Sequence, residues 1–181
     1  CIWLHCDNAL HRIEFNDKGE VQILSTLSPV YLNGPDIALK DIDEDGKIWM
    51  GNNGEIRKVA LSPQKRLITI PIADCLKFET GTYISDFLCK ENEVWISSDR
   101  GLFRYNKSGN VIKRYEHDSG NSYSLSQNYL TSLAITSDKQ LIVATLRGIN
   151  IYNPMTDNFE RIACDLPNGG TNLLNSNFIN C

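Results

Sequence analysis

The sequence predicts an all-β fold, and three observations support this prediction. Short segments rich in β-branched or aromatic residues are separated by clusters of Gly, Asn, Asp and Pro, a pattern typical of strands and turns. No segment has the spacing of apolar residues that indicates an amphipathic helix. One motif also recurs at a fixed period, because Trp3, Trp49 and Trp95 are 46 residues apart and Ile142 follows Trp95 by 47 residues. A period of this length indicates a repeat protein.

Each repeat contains four predicted strands. In the clearest repeat these are the segments YLTSLAIT, QLIVAT, INIYN and FERIAC, with turns at Ser137–Lys139, Arg147–Gly148 and PMTDN. The preceding repeat has the same order, with YISDFLC, EVWISS, GLFRYN and VIKRYE. A four-stranded antiparallel unit of this length is typical of a β-propeller blade, whose apolar face is covered by the neighbouring blade.

Each tryptophan lies near the start of the second strand of its repeat. We therefore predict that Trp3, Trp49 and Trp95 fill the space between blades and that Ile142 does so in the fourth repeat. The second and third strands are joined by a turn that ends in glycine. This glycine is Gly101 in one repeat and Gly148 in the next. Glycine is expected there because it adopts the backbone conformations that such turns need.

The repeat boundaries predict a single β-propeller fragment over residues 1–181. Residues 1–28 form part of a blade, residues 29–77, 78–122 and 123–168 form three blades, and residues 169–181 form the first strand of the next blade. We expect this fragment to be an arc of a larger, seven-bladed propeller. The alternative is a closed four-bladed ring, in which the last strand completes the first blade.

The stretch DIDEDGKIW, residues 41–49, has two interpretations. Its alternating acids followed by glycine are similar to an EF-hand calcium loop. However, the position that should supply a bidentate glutamate is occupied by Asn52, and the equivalents of Asp43 in the next repeats are Cys89 and Thr136. Asp-Gly is also a strong hairpin signal. The sequence therefore favours a hairpin turn over a metal site.

Composition excludes some functional classes. The 181-residue chain has a net charge of −4 and no basic run, which disfavours binding to nucleic acid. No apolar stretch approaches the roughly 18 residues of a membrane helix. The 6 cysteines form no C-x-x-C pair, so we expect small buried side chains, or disulfides in an oxidising compartment. No metal and no cofactor is predicted.

Two segments, ALKDIDEDGKIWMGNNGEIRKV and ISDFLCKENEVWISSDRGLFRYN, are similar to the repeat pattern I-x-D-x-x-D-G-x-I-W-x-G-x-x-x-G-[IL]-x-[RK]-[VY]. Together with the junction HDSGNSYSLSQNYLTSLAIT, they resemble two-component regulator propeller repeats. These repeats occur in the periplasmic sensor regions of hybrid two-component sensor histidine kinase/response regulators. The likeness covers nearly the whole chain. It departs from the usual pattern at Ala9, which replaces a glycine, at Ile142, which replaces a tryptophan, and in the second copy, which is one residue short.

The resemblance implies a periplasmic, ligand-sensing module of an inner-membrane receptor. Members of the family commonly sense breakdown products of complex glycans and switch on genes for carbohydrate use. The implied partners are an oligosaccharide, the other blades and domains of the same receptor, and a second copy in a homodimer. The kinase core and the DNA-binding region lie elsewhere in such proteins, so no catalytic residue is expected in this fragment.

Candidate ligand-binding residues lie on one rim of the predicted propeller. The rim loops are Tyr31–Asp36, Thr80–Tyr83, Asp118–Tyr129, Asn52–Gly54, Asp99–Arg100 and Leu146–Arg147. From these loops we select Arg100, Arg147, Asp99, Asn53, Tyr83 and Tyr129. Equivalent arginines suit an acidic sugar or a partner's carboxylates, and tyrosines can stack on a sugar ring. Alternatively, the arginines are solvated or form ion pairs between blades, the tyrosines pack between blades, and the asparagine only forms a turn.

Two other functions remain open from the sequence. A structural propeller would dimerise through exposed sheet edges and bind no small ligand. A propeller lyase or hydrolase would need paired carboxylates, or histidine with a metal, converging on one face. The histidines, His5, His11 and His117, do not occupy matching positions in the repeats.

Overall fold

The computed structural model of the protein describes residues 2–6, 9–27, 38–42, 46–52, 55–63, 67–70, 78–79, 81–106, 111–162 and 179. Within these ranges all the regular elements are strands, and they form one three-stranded and three four-stranded antiparallel sheets. This confirms the prediction of an all-β fold with four-stranded units. In the same residues, no helix is long and apolar enough to cross a membrane.

Each sheet is a meander in which every strand pairs with the next one along the chain. The first sheet contains β1 (Ile2–Cys6), β2 (Ala9–Phe15) and β3 (Val21–Leu27). The second contains β4 (Ala38–Ile42), β5 (Ile48–Asn52), β6 (Glu55–Leu61) and β7 (Leu67–Ile70). The third contains β8 (Ile84–Lys90), β9 (Glu93–Ser98), β10 (Gly101–Asn106) and β11 (Val111–Tyr115). The fourth contains β12 (Leu130–Ile135), β13 (Leu141–Thr145), β14 (Gly148–Asn153) and β15 (Asn158–Ile162).

A β-bulge recurs between the first and second strands of each four-stranded sheet. The register shifts between Leu39 and Asp41, between Ile84 and Asp86, and one repeat later between Leu130 and Ser132. A bulge kinks its strand and re-aims the side chains beside it. In the third sheet, Asp86 Oδ2 accepts a hydrogen bond from the backbone N–H of Leu133 (2.8 Å), which ties β8 to β12.

The buried tryptophans lie between neighbouring sheets, as predicted. Trp49 packs in one cluster with Val94, Ile96 and other residues of the third sheet. Trp95 packs in a second cluster with Leu141, Val143 and other residues of the fourth sheet. The first strands β4, β8 and β12 of these sheets lie side by side. The side chain of Trp3 lies outside the described residues.

Each tryptophan pairs across strands with a cation nine residues later. Trp49 lies opposite Lys58, whose Nζ is 4.5 Å from the centre of the indole ring. Trp95 lies opposite Arg104, whose Cζ is 5.1 Å from the ring centre. A cation over an indole face is attracted by the ring quadrupole. The fourth sheet has isoleucine at both positions, so its corresponding face is aliphatic.

The stretch DIDEDGKIW forms a hairpin, in agreement with the favoured interpretation. Strands β4 and β5 pair antiparallel, with Ile42 opposite Ile48, and Gly46 has a φ of 71°. The residues between them, Asp43 to Asp45, lie outside the described part of the chain, as do the predicted turn at 107–110 and most of the predicted strand at 169–181.

Candidate ligand-binding site

The turns between second and third strands are built alike in the third and fourth sheets. Ser98 Oγ accepts a hydrogen bond from Arg100 N (3.0 Å) and donates to the Gly101 carbonyl (2.8 Å). In the fourth sheet, Thr145 Oγ1 accepts from Arg147 N (2.9 Å) and donates to the carbonyl of the following glycine (2.9 Å). A buried hydroxyl therefore fixes each turn and directs an arginine to the same end of each sheet.

Glycine is required at the end of the third-sheet turn. Gly101 has a φ of 112°, and a Cβ atom there would lie 2.5 Å from the carbonyl oxygen of Tyr115. Gly148 has a φ of 98° at the equivalent place. These angles confirm the prediction that both glycines permit the turn.

The predicted residues of the third sheet lie together, but most of their polar groups already have partners. Tyr83 N donates to Asp99 Oδ1 (3.0 Å), and Asp99 N donates to the Tyr83 carbonyl (3.0 Å). The guanidinium of Arg100 forms an ion pair with Glu79. The Tyr83 side chain is 50% exposed, so it does not pack between sheets. Asp99 thus closes the turn.

The predicted binding residues of the fourth sheet are exposed and make fewer side-chain contacts than those of the third sheet. Tyr129 is 40% exposed, and its carbonyl accepts a hydrogen bond from Leu146 N (3.3 Å). Arg147 is exposed and forms no ion pair within the described ranges. The backbone of Gly101 donates to the carbonyl of Asn128 (2.9 Å), which places Tyr129 beside the third-sheet turn. One rim therefore carries both tyrosines and both arginines.

The sixth candidate, Asn53, lies outside the described residues, as does the rim loop Tyr31–Asp36. Neither can be assigned to the rim from its geometry.

Residues 116–129, which we call the strap, connect β11 to β12 and follow the free edge of β15. The carbonyl of Tyr123 accepts a hydrogen bond from Phe159 N (2.9 Å). The side chain of Arg161, on β15, donates to the carbonyls of Ser124 (2.8 Å) and Asn121 (2.9 Å). Burial lowers the pKa of Arg161, although the nearby Asp118 acts in the opposite direction. Arg161 thus holds the strap against the fourth sheet.

The second half of the strap enters the core. Leu125 is fully buried between the third and fourth sheets. The buried Asn150 accepts a hydrogen bond from Ser126 N (2.7 Å). His117 lies 2.7 Å from the Leu125 carbonyl through Nδ1, and its backbone N donates to Asn128 Oδ1 (2.6 Å). His117 therefore has a structural role in the strap.

A cleft of about 210 Å³ opens between β11 and the strap. Its lining combines charged, amide and aromatic side chains: Lys113, Arg114, Tyr115, Glu116, Asp118, Asn121, Tyr123, Ser124, Asp157, Asn158 and Phe159. Tyr123 is 62% exposed, the most exposed aromatic residue in the described part of the chain. The cleft lies at the outer end of the interface between the third and fourth sheets.

A hydrogen-bonded network closes the floor of this cleft. Asp157 accepts hydrogen bonds from the hydroxyls of Tyr115 (2.6 Å) and Tyr152 (2.7 Å) and forms an ion pair with Lys113. Burial alone would raise the pKa of Asp157, but the hydrogen bonds from Lys113, Tyr115 and Tyr152 outweigh it and lower the pKa to about 2. Burial, followed by the hydrogen bond to Asp157, raises the pKa of Tyr115. The Asp157 carboxylate therefore joins the outer strands of the two sheets.

The candidates taken from the sequence missed the residues that build this region. The cation at Arg104 was detectable, because a basic residue follows each tryptophan by nine positions. Tyr123 lies within the predicted rim loop Asp118–Tyr129 but was not selected. The sequence pattern did not indicate Arg161 or Asn150, because both bind backbone groups of the strap, which any residue type can supply.

No family model matches the chain, and no curated protein matches it. Solved structures do match. The extracellular domain of the hybrid two-component system BT3049 from B. thetaiotaomicron is 20% identical, with a TM-score of 0.61 over 79% of this chain and 20% of that one. The corresponding domain of the hybrid two-component system BT4673 from the same organism is 18% identical, with a TM-score of 0.59 over 97% and 23%.

A third similar structure is an enzyme. Virginiamycin B lyase from Staphylococcus aureus is 15% identical, with a TM-score of 0.54 over 92% of this chain and 53% of the lyase. The chain spans about a fifth of the length of the two sensor domains. It therefore shares its fold with the extracellular domains of hybrid two-component systems, as the resemblance of its repeats implied.

Proposed function

We propose that the chain is part of the extracytoplasmic, ligand-sensing region of a hybrid two-component sensor. The repeat motif and the fold shared with two such sensor domains both support this proposal. In this proposal the protein resides in the periplasm, its parent is anchored in the inner membrane, and the ligand is a product of glycan breakdown that regulates genes for carbohydrate use. The fragment binds and does not catalyse, since kinase chemistry belongs to other domains of the parent.

We also propose that the four sheets are blades in an arc of a larger, seven-bladed propeller, with the boundaries predicted from the repeats. The exposure of the first sheet supports an arc over a closed ring. Ile2 and Leu4 are 50% and 44% exposed, whereas their equivalents in the second sheet, Ile48 and Met50, are fully buried. The face that packs on a neighbour in the second sheet is therefore uncovered in the first.

One observation carries the proposal that the rim binds a ligand. Arg147 is exposed and lacks a counterion in the described ranges, whereas its equivalent Arg100 is paired with Glu79. Tyr129 is exposed beside the same rim. A guanidinium without a counterion among the described residues, on the same rim as an exposed aromatic residue, suits a saccharide that carries a carboxylate or a sulfate. A ligand can change the receptor's conformational balance only if it binds one state more tightly than the other.

Isothermal titration of the chain with anionic tetrasaccharides, derived from heparin and from polygalacturonate, tests this rim. We expect Arg147→Ala to weaken binding about tenfold or more, because a charge-assisted hydrogen bond contributes about 1.5–3 kcal/mol. Lys18→Ala is the matched control, since it removes one positive charge from an exposed turn of the first sheet. Absence of binding, or equal binding by both variants, would refute a rim site.

A structural role in association is the second candidate function. The first sheet exposes four large apolar side chains, Ile2, Leu4, Phe15 and Val21. Exposed apolar patches commonly mark interaction surfaces. Light scattering distinguishes the two functions: an obligate dimer without ligand-dependent stabilisation favours association, and a monomer that a ligand stabilises favours sensing.

A further inference from the structure

We propose that the cleft between β11 and the strap binds one ring of a neutral saccharide, with the face of the ring stacked on Tyr123. This inference rests on the proposed function only in taking saccharides as the ligand class. It adds a second binding position, at the outer end of the sheet interface and separate from the turn that carries Arg147.

Tyr123 is an exposed aromatic residue on a fixed backbone. Its carbonyl accepts a hydrogen bond from Phe159 N, and its own N–H donates to Asn121 Oδ1 (2.9 Å). Arg161 holds the carbonyls on either side of it. A residue whose backbone is already held in place loses less conformational entropy when it binds a ligand than a residue of a mobile loop would. Its electron-rich face attracts the C–H groups of a sugar ring.

Both cations that line the cleft are already ion-paired, which argues against an anionic ligand. Lys113 is ion-paired with Asp157. Arg114 Nη2 lies 3.0 Å from Glu116 Oε1. An anionic sugar would have to break one of these pairs to gain a cation, whereas a neutral sugar can bind with both pairs intact. In this respect the cleft differs from the rim.

The cleft also offers hydrogen-bonding groups that the fold does not use. Asn121 Oδ1 accepts from Tyr123 N, and Asn158 Oδ1 accepts from the hydroxyl of Thr156 (2.6 Å). The amide nitrogens of both asparagines have no partner within the described ranges. Asp118 Oδ1 accepts a backbone N–H of its own loop (2.8 Å), which leaves its second oxygen as an acceptor. Sugar hydroxyls both donate and accept, so they suit this mixture.

The size of the cleft limits the ligand to one enclosed ring. Its volume of about 210 Å³ is below the roughly 300–1,000 Å³ of pockets that enclose drug-sized ligands. An adjoining cleft of about 450 Å³ shares Tyr123 and Asn158, but it lies against Ile151 and Glu160 on the uncovered face of the fourth sheet. The proposed arc would place the next blade there, so the inference uses only the smaller cleft.

The test is isothermal titration of the 181-residue chain with xylotetraose, cellotetraose, maltotetraose and mannotetraose. We expect at least one of these sugars to bind. Tyr123→Ala should weaken that binding about tenfold or more, and Tyr123→Phe should keep it within about twofold, because the stacking face is retained. Met155→Ala is the control, since this side chain is 91% exposed nearby but does not line the cleft.

Two results would overturn the inference. The first is that none of the neutral sugars binds, in which case the rim can still be tested separately with the anionic panel. The second is that a neutral sugar binds with the same affinity to Tyr123→Ala and to the unchanged chain. If Arg147→Ala rather than Tyr123→Ala abolishes that binding, the result supports the proposed sensing function and refutes the cleft site.

Discussion

Replacing Trp95 by alanine should destabilise the protein more than any other single change in the interface between the third and fourth sheets. Trp95 is almost completely buried, with its ring 5.7 Å from that of Tyr115 and 4.9 Å from that of Tyr152. Arg104 covers its face. The substitution removes the ring that all these side chains contact and leaves a cavity between the two sheets.

The size of the effect follows from the buried area. A tryptophan buries about 150–250 Å², which at about 25 cal/mol/Å² gives roughly 4–6 kcal/mol as an upper bound. The indole N–H has no acceptor among the described residues, which offsets about 1 kcal/mol or more of that gain. We therefore expect a loss of about 3–5 kcal/mol, in line with tryptophan-to-alanine changes in other cores.

The assay is urea unfolding of Trp95→Ala followed by far-UV circular dichroism, with amide hydrogen exchange to locate the loss. Exchange is needed because repeat arrays can unfold in parts rather than in one step. Ile142→Ala is the matched control at the equivalent position, where the side chain is only half-buried, and should cost less than about 2 kcal/mol. A loss below about 1 kcal/mol for Trp95→Ala, or equal losses for both variants, would refute the assignment of Trp95 to inter-sheet packing.

Three further predictions concern the same half of the chain. Gly101→Ala should cost about 2–3 kcal/mol in urea unfolding, because its Cβ would meet a carbonyl oxygen, whereas Gly19→Ala, with open space around it, should cost about 1 kcal/mol. Arg161→Ala should speed amide exchange throughout the strap by about tenfold or more, since the carbonyls that it binds lose their donor; unchanged exchange would refute its role. The lowered pKa of Asp157 stabilises the fold above about pH 4, and this contribution is lost as the pH falls towards about 2. Because the carboxylate is partly exposed, we expect only about 1 kcal/mol, absent in Asp157→Asn when unfolding is measured across this pH range.

The repeat pattern predicted the sheets well because the features that define them are local. The predicted strand YLTSLAIT is observed as Leu130–Ile135, and the predicted strand INIYN as Gly148–Asn153. Alternation and turn residues set such boundaries within a few positions of the chain. The spacing of the tryptophans also predicted a tertiary relationship, namely that Trp49 and Trp95 occupy equivalent positions between sheets. The structure confirms this prediction.

The site was harder to predict because its contacts join distant residues. Arg161 binds carbonyls some forty positions earlier, and any loop can supply carbonyls, so no residue type marks the partner. Equivalence between repeats was also misleading. Arg100 and Arg147 occupy the same turn position, but the residues 46 and 47 positions after Glu79 are Leu125 and Ser126, and neither is acidic. Within the described residues only Arg100 is therefore ion-paired. Tyr83 and Tyr129 could have packed between sheets, and both are exposed.

The third and fourth sheets are joined by so many contacts that, in the proposed sensor, we expect them to move as one body. The bulge at Asp86 joins their first strands, the Trp95 cluster fills the space between them, and Asp157 links their outer strands. The strap crosses from one sheet to the other and buries Leu125 between them. A switching element needs two packings of similar free energy, whereas several separate contacts hold these two sheets in one packing. In the proposed sensor, a ligand in the cleft or on the rim would therefore stabilise this pair of sheets as a unit, and we expect a conformational change to occur where the pair meets another part of the protein.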